Sequence, residues 1–270
     1  MTEHKTFRIT SIVSFVIILT ITIIYNYLLT INSHDITLFI LKPIPLLILI
    51  INVVTYFIIY RIHVYALLIE ISFLLCLIGD IFLMFYVPPI PKYDNVTYLI
   101  LGGGAFLIAR IFMCLAYGIS PFDNNGRRCI DVNVKKIIFA GLFGFIWTCA
   151  MCIYFGFNMN SEFYMKILII FYLVIMGVNL VMALVRIKGF KEETLSSQIF
   201  GVAGTVLFTI SDNLLLWNIF IKTVPYGDVI SINIYWIGMF FIMISTVRTN
   251  SVEREKINVS MYLPLTTESR

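Results

Sequence analysis

Apolar residues fill this chain in long runs separated by short polar stretches, and a run of about twenty at 1.5 Å per residue crosses a bilayer as a helix. By that measure spans fall near residues 8–30, 36–60, 64–87, 96–118, 134–156, 164–186, 196–220 and 230–248. The pattern predicts an all-α, polytopic membrane bundle of eight transmembrane helices. The connections carry turn material, such as the prolines of 88–91 and the Ser-Pro and Asn-Gly steps of 120–126, and none is long enough for a soluble domain. One membrane domain therefore occupies residues 1–248, followed by a polar tail over 249–270.

Composition strengthens this picture: 60% hydrophobic and 13% charged residues exclude an ordinary soluble domain. Of the 19 Lys and Arg residues, fourteen fall on the side of the two termini. Only Lys92, Lys166 and Lys222 fall on the other, while Lys42 and Arg110 lie inside spans. Basic residues favour the cytosolic side of short loops, so both termini are expected in the cytosol. The net charge of +4 is accounted for by those loops and implies no nucleic-acid partner, and nothing implies a soluble protein partner. The first span has a basic start, as a signal peptide would, but its apolar stretch is too long and no small-residue cleavage site follows, so it reads as a retained helix.

Cys76, Cys114, Cys149 and Cys152 fall in spans and Cys129 in a loop, which implies no disulfide framework. Cys149 and Cys152 have redox spacing, yet inside a membrane helix packing is the better reading. The histidines, His4, His34 and His63, are scattered, and neither His-Glu-x-x-His nor Gly-x-Ser-x-Gly occurs, which disfavours metal hydrolysis and serine catalysis. No metal and no cofactor is expected.

Two stretches, residues 75–83 and 207–215, read alike: each places an aspartate, Asp80 or Asp212, behind a small residue in an apolar run. An acid near mid-membrane costs about 2.5–3.5 kcal/mol on insertion scales, so a matched pair points to function. Counted from the start of their spans, both lie about 24 Å deep at helical rise. Their similarity, four spans apart, suggests a parallel internal duplication of four spans each. Lys42, about six residues inside span 2 from the opposite face, reaches nearly the same depth. Glu70 and Arg110, at similar depths on the antiparallel spans 3 and 4, are expected to form a structural ion pair. Hydrogen bonding between helices by protonated aspartates would return only about 0.6–2 kcal/mol each, which favours a site over glue. Gly102 to Gly104 lack the Lys-Ser/Thr of a phosphate loop and read as close helix packing.

Lys42-Pro43, Gly79-Asp80, Gly102 to Phe106, Ala109-Arg110, Tyr172 with Met176, Ser211-Asp212 and Tyr235 occur in spans 2, 3, 4, 6, 7 and 8. In order and spacing they resemble the YhhN-like family of eight-span membrane lysoplasmalogenases, over about residues 42 to 245. The resemblance implies hydrolysis of the vinyl-ether bond of lysoplasmalogens to a fatty aldehyde and a glycerophospho-ethanolamine or -choline. It also implies two essential membrane aspartates, matched by Asp80 and Asp212. Lys42, Arg110 and Tyr235 are the candidate substrate-binding residues. Two positions depart from the family's pattern: Ala109-Arg110 stands where Ala-His is usual, and Gly238-Met239 near a frequent Gln. An arginine cannot shuttle protons, although it binds phosphate at least as well as histidine. An altered substrate and a loss of activity both stay open.

Two carboxyls suit this chemistry. Protonation of the alkene carbon produces an oxocarbenium ion that water attacks, and neighbouring carboxyls in an apolar setting divide into a proton donor and an anionic partner. The sequence leaves open which aspartate takes which role. Rival readings are a proton-coupled transporter, a non-catalytic lipid-binding protein and an intramembrane aspartyl protease, the last disfavoured because Leu77 stands where Gly-x-Gly-Asp needs a glycine. Asn95 begins a glycosylation pattern, and Tyr262 to Leu265 look like a tyrosine-based sorting signal, which points to the endoplasmic reticulum or another endomembrane.

Overall fold

Helices account for almost all of the structure, a computed structural model that describes residues 2–31, 36–59, 64–86, 96–118, 134–159, 161–187 and 195–262. The Asn95 pattern, the turn material at 88–91 and 120–126, His34, His63, Cys129 and the sorting signal beyond Tyr262 lie outside the described residues. The helices are α1 (Thr2–Thr30), α2 (Ile36–Leu41), α3 (Ile44–Ile59), α4 (Val64–Tyr86), α5 (Val96–Gly118), α6 (Val134–Asn158), α7 (Phe163–Arg186), α8 (Leu195–Phe220) and α9 (Gly227–Tyr262). Among the described residues there is no strand, and eight segments are long and apolar enough to cross a membrane.

Span 2, expected as one helix over 36–60, is divided between α2 and α3 at Lys42-Pro43. Pro43 and Pro45 have no N–H to give to the preceding turn, so the ladder is interrupted twice within three residues. The Lys42 N–H still reaches Leu38 O at 3.1 Å and closes α2, while Leu47 N–H bonds Pro43 O at 3.0 Å in the first turn of α3. The break presents Lys42 at a helix end. At the other end of the chain, α9 continues past its membrane-spanning part, Gly227–Thr249, so the polar tail is helical as far as Tyr262.

The tightest helix pairs are α4 with α5 and α8 with α9, and in both glycines bring backbones together. A Cβ on Gly79 would stand 3.2 Å from Gly102 O, and one on Gly102 would stand 3.1 Å from Gly79 O. Across α8 and α9, a Cβ on Gly204 would meet Gly238 O at 2.6 Å. Small residues at such contacts let membrane helices approach closely enough for dispersion to hold them. Gly238 thus belongs to this contact, and Met239 beside it is fully buried in the core.

Polar links add specificity. Asn52 Nδ2 donates to Ser14 Oγ at 2.8 Å, joining α3 to α1, and Asn26 Nδ2 donates to Asn233 Oδ1 at 3.0 Å, joining α1 to α9. The main core runs through α1 to α5, α7, α8 and α9, and a smaller one joins α6, α7 and the end of α8. Tyr172 packs against both. Large apolar side chains cover the outside, above all on α6, where Phe139, Phe145 and Phe157 are exposed. That is the surface expected of a bundle whose solvent is lipid.

Candidate active site

The two aspartates lie at the seam where α4, α5, α7, α8 and α9 meet, and each is almost wholly buried. Gly79 and Ser211, the small residues before them, explain how an acid is accommodated there. Gly79 admits α5 against α4, and Ser211 Oγ donates to Ser231 O at 2.8 Å, fastening α8 to α9.

Asp80 has two partners on different oxygens. Tyr235 O–H donates to Oδ2 at 3.0 Å, and Lys42 Nζ stands 4.0 Å from Oδ1, beyond hydrogen-bond reach but close enough to be felt electrostatically. Asp212 is held differently. Its Oδ2 accepts from Arg110 Nη2 at 2.7 Å and from Tyr172 O–H at 2.5 Å. Arg110 is fully buried, with Nη1 donating to Asn179 Oδ1 at 3.1 Å and the guanidinium stacked 3.4 Å from the centre of the Phe208 ring. Its Nε has no partner among the described residues. Stacking on an aromatic face and a direct ion pair are the two ways in which a protein stabilises a dry guanidinium.

The expected pair of Glu70 and Arg110 does not form. Ser72 Oγ donates to Ala109 O at 2.9 Å, so position 110 does stand near the level of Glu70, and the depth read from the sequence is right. The side chain, however, extends from α5 away from α4 and passes over Phe208 to reach Asp212 on α8. Depth follows from counting residues, but the direction a side chain takes around its helix depends on packing. Both carboxylate oxygens of Glu70 are left buried without a hydrogen-bond partner among the described residues.

A cavity of about 120 Å³ opens beside the aspartates. Its polar lining includes Lys42, Asp80, Ser211, Asp212, Asp228 and Tyr235, and it lies toward the membrane face at which α1 ends and α9 begins. A second cavity of about 170 Å³, between α5, α7 and α8, is lined almost wholly by apolar groups. Asp212, Phe106, Leu83 and Leu215 border both, so the carboxylate stands where the chamber that holds the site's charged groups meets one that is almost wholly apolar. Gly103 and Gly104 face the second chamber, and a Cβ on either would meet nothing within 4 Å. The expectation of close packing at the three glycines therefore holds for Gly102 alone, and its two neighbours leave space.

Lys42, Asp80, Asp212, Arg110 and Tyr235 are thus brought together. Asn179, Phe208 and Tyr172 were not among the candidate site residues. Asn179 had the signal that revealed the aspartates, a single polar group in an apolar run, whereas nothing in the sequence sets Phe208 apart from other core aromatics. Among the described residues no three His, Cys, Asp or Glu converge as a metal-holding group.

The model of the YhhN family matches residues 37–246, from span 2 through most of span 8, and the chain belongs to that family. No curated protein and no solved structure matches the chain.

Proposed function

We propose that this protein is a membrane ether hydrolase that cleaves the vinyl-ether bond of lysoplasmalogens, using Asp80 and Asp212. The observation that carries the reading is the placement of Asp212 on the border of two chambers, one that carries Lys42, Asp80 and Asp228 on a largely apolar wall and one that is almost wholly apolar. A single-chain ether lipid has that same division, a charged head group on one side and a hydrocarbon chain on the other, with the vinyl ether between them. The head group enters the chamber that carries Lys42, and the chain follows Gly103 and Gly104 toward the bilayer.

The chemistry balances without a further reactant. One carboxyl transfers its proton to the alkene carbon distal to oxygen, leaving an oxocarbenium ion that the remaining negative charge of the site offsets. Water adds to the carbon bonded to oxygen and returns a proton to the carboxylate, giving a hemiacetal. Its hydroxyl proton passes to the departing glycerol oxygen as the C–O bond breaks. The products are a fatty aldehyde and a glycerophospho-alcohol, at the net cost of one water.

The test is aldehyde release from lysoplasmenyl-ethanolamine and -choline by the purified protein in micelles, beside Asp80→Asn and Asp212→Asn of equal folded yield. Release that both variants lose supports the reading. A folded parent that releases none from either head group across the accessible pH range overturns it.

A further inference from the structure

Asp80 and Asp212 are held in unlike ways, and the difference assigns them unlike roles. Asp212 is in direct contact with a guanidinium that is shielded from water, fixed by Asn179 and stacked on Phe208. Arginine does not release its proton in a protein, so Asp212 meets a full positive charge at hydrogen-bond distance in every state of the site. Its two hydrogen bonds converge on Oδ2. Among the described residues Asp80 has no such partner: the cation paired with it, Lys42, is 4.0 Å away with a partly exposed side chain. The other titratable groups that line the cavity with Asp80 are Tyr25 of α1, Asp212 of α8, and Tyr235 and Asp228 of α9, while Cys76 lies one turn back on α4. None of these supplies a cation in contact with Asp80.

We infer that Asp80 is the proton carrier of the site, and that Arg110 is a positioning residue that commits Asp212 to the anionic role. This assignment rests on the hydrolase reading for its chemical meaning. Asp80 gives its proton to the alkene carbon and takes one back from the attacking water. Asp212, anchored through Oδ2, turns Oδ1 toward the reacting water and the cationic carbon. Charge bookkeeping agrees. With Asp80 protonated, Asp212 and Arg110 cancel, and Lys42 no longer faces a carboxylate 4.0 Å away; Asp228, the other acid lining the cavity, is exposed, so Lys42 is open to a lipid phosphate. The departure from histidine at position 110 then has a physical content: a clamp whose charge never changes stands where a titrating group is usual.

Infrared spectroscopy of the purified protein in detergent at neutral pH tests this without substrate, because a protonated carboxyl has a C=O stretch distinct from those of carboxylates and amides. Glu70→Gln is recorded first, so that any contribution of that second buried carboxyl is known. The expected result is a protonated-carboxyl band lost in Asp80→Asn and kept in Asp212→Asn. In Arg110→Gln a second such band should appear, and it should vanish when Asp212→Asn is added. A band lost with Asp212→Asn in the protein that retains Arg110, or no band beyond that of Glu70, overturns the assignment. If Arg110→Gln does not fold, the two aspartate variants alone decide the matter. Absence of aldehyde release would sink the hydrolase reading while leaving this spectroscopic result to stand or fall by itself.

Discussion

Arg110 and Asp212 are 102 residues apart in the chain, yet Nη2 of one lies 2.7 Å from Oδ2 of the other inside a bundle that gives the guanidinium no access to water. Removing one member of such a pair leaves the other charge buried and uncompensated, which costs about 3–5 kcal/mol. Arg110→Ala should therefore lower the thermal unfolding midpoint markedly in detergent. Replacing both partners, as in Arg110→Met with Asp212→Leu, should recover most of that loss. A double variant as unstable as the single one would show that the pair is not the source.

The two tyrosines should separate by effect. Tyr235→Phe removes the hydrogen bond to Asp80 and Tyr172→Phe one of two to Asp212, each change leaving the ring in place. A hydrogen bond to a charged group is worth about 1.5–3 kcal/mol and a neutral one about 0.5–1.5. Aldehyde release by Tyr172→Phe should thus fall roughly ten- to a hundredfold, and that by Tyr235→Phe about tenfold or less, with the larger drop in unfolding temperature also in Tyr172→Phe. Steady-state kinetics of the two variants reads the difference directly.

Gly103 and Gly104 border the apolar chamber, while Gly102 is pressed against α4. Gly103→Leu and Gly104→Leu should fill that chamber, raising KM for long-chain substrates more than for short ones, without loss of stability. Gly102→Leu should instead destabilise the protein, because the new side chain meets Leu83 and the Gly79 carbonyl. Chain-length profiles and thermal unfolding of the three variants distinguish a chamber wall from a packing contact.

Lys42 lies at the helix break and lines the same chamber as Asp80, and under the proposed hydrolase reading it meets the lipid phosphate. Lys42→Met should raise KM about tenfold or more for the phosphate-bearing lipid, roughly the loss of one charge-assisted hydrogen bond. It should have little effect on an alkenyl glycerol that lacks the phosphate. Equal effects on both substrates would place Lys42 with the chemistry at Asp80 instead.

Much of this arrangement is legible in the chain as written. Helix rise and the length of apolar runs are local quantities, so the eight spans emerge within a few residues of their observed ends, and Asp80, Asp212 and Lys42 come out near a common depth. The cost of an acid in lipid singles out the aspartates before any contact is known. The same reasoning misassigned Arg110. Its level beside Glu70 is right, but the choice between a neighbour on α4 and one on α8 is made by rotation about the helix and by the Phe208 ring that carries the guanidinium across.

The linear pattern by itself determined the membrane class, the number of spans, the depth of the polar groups and the presence of two acids inside the bundle. Tertiary structure alone decided which cation grips which acid, and that Gly103 and Gly104 border a chamber while Gly102 packs. The physical reason is that hydropathy and helical rise act along one helix at a time. Ion-pair choice, cavities and close backbone contacts arise from how side chains of helices far apart in sequence fill the space between them.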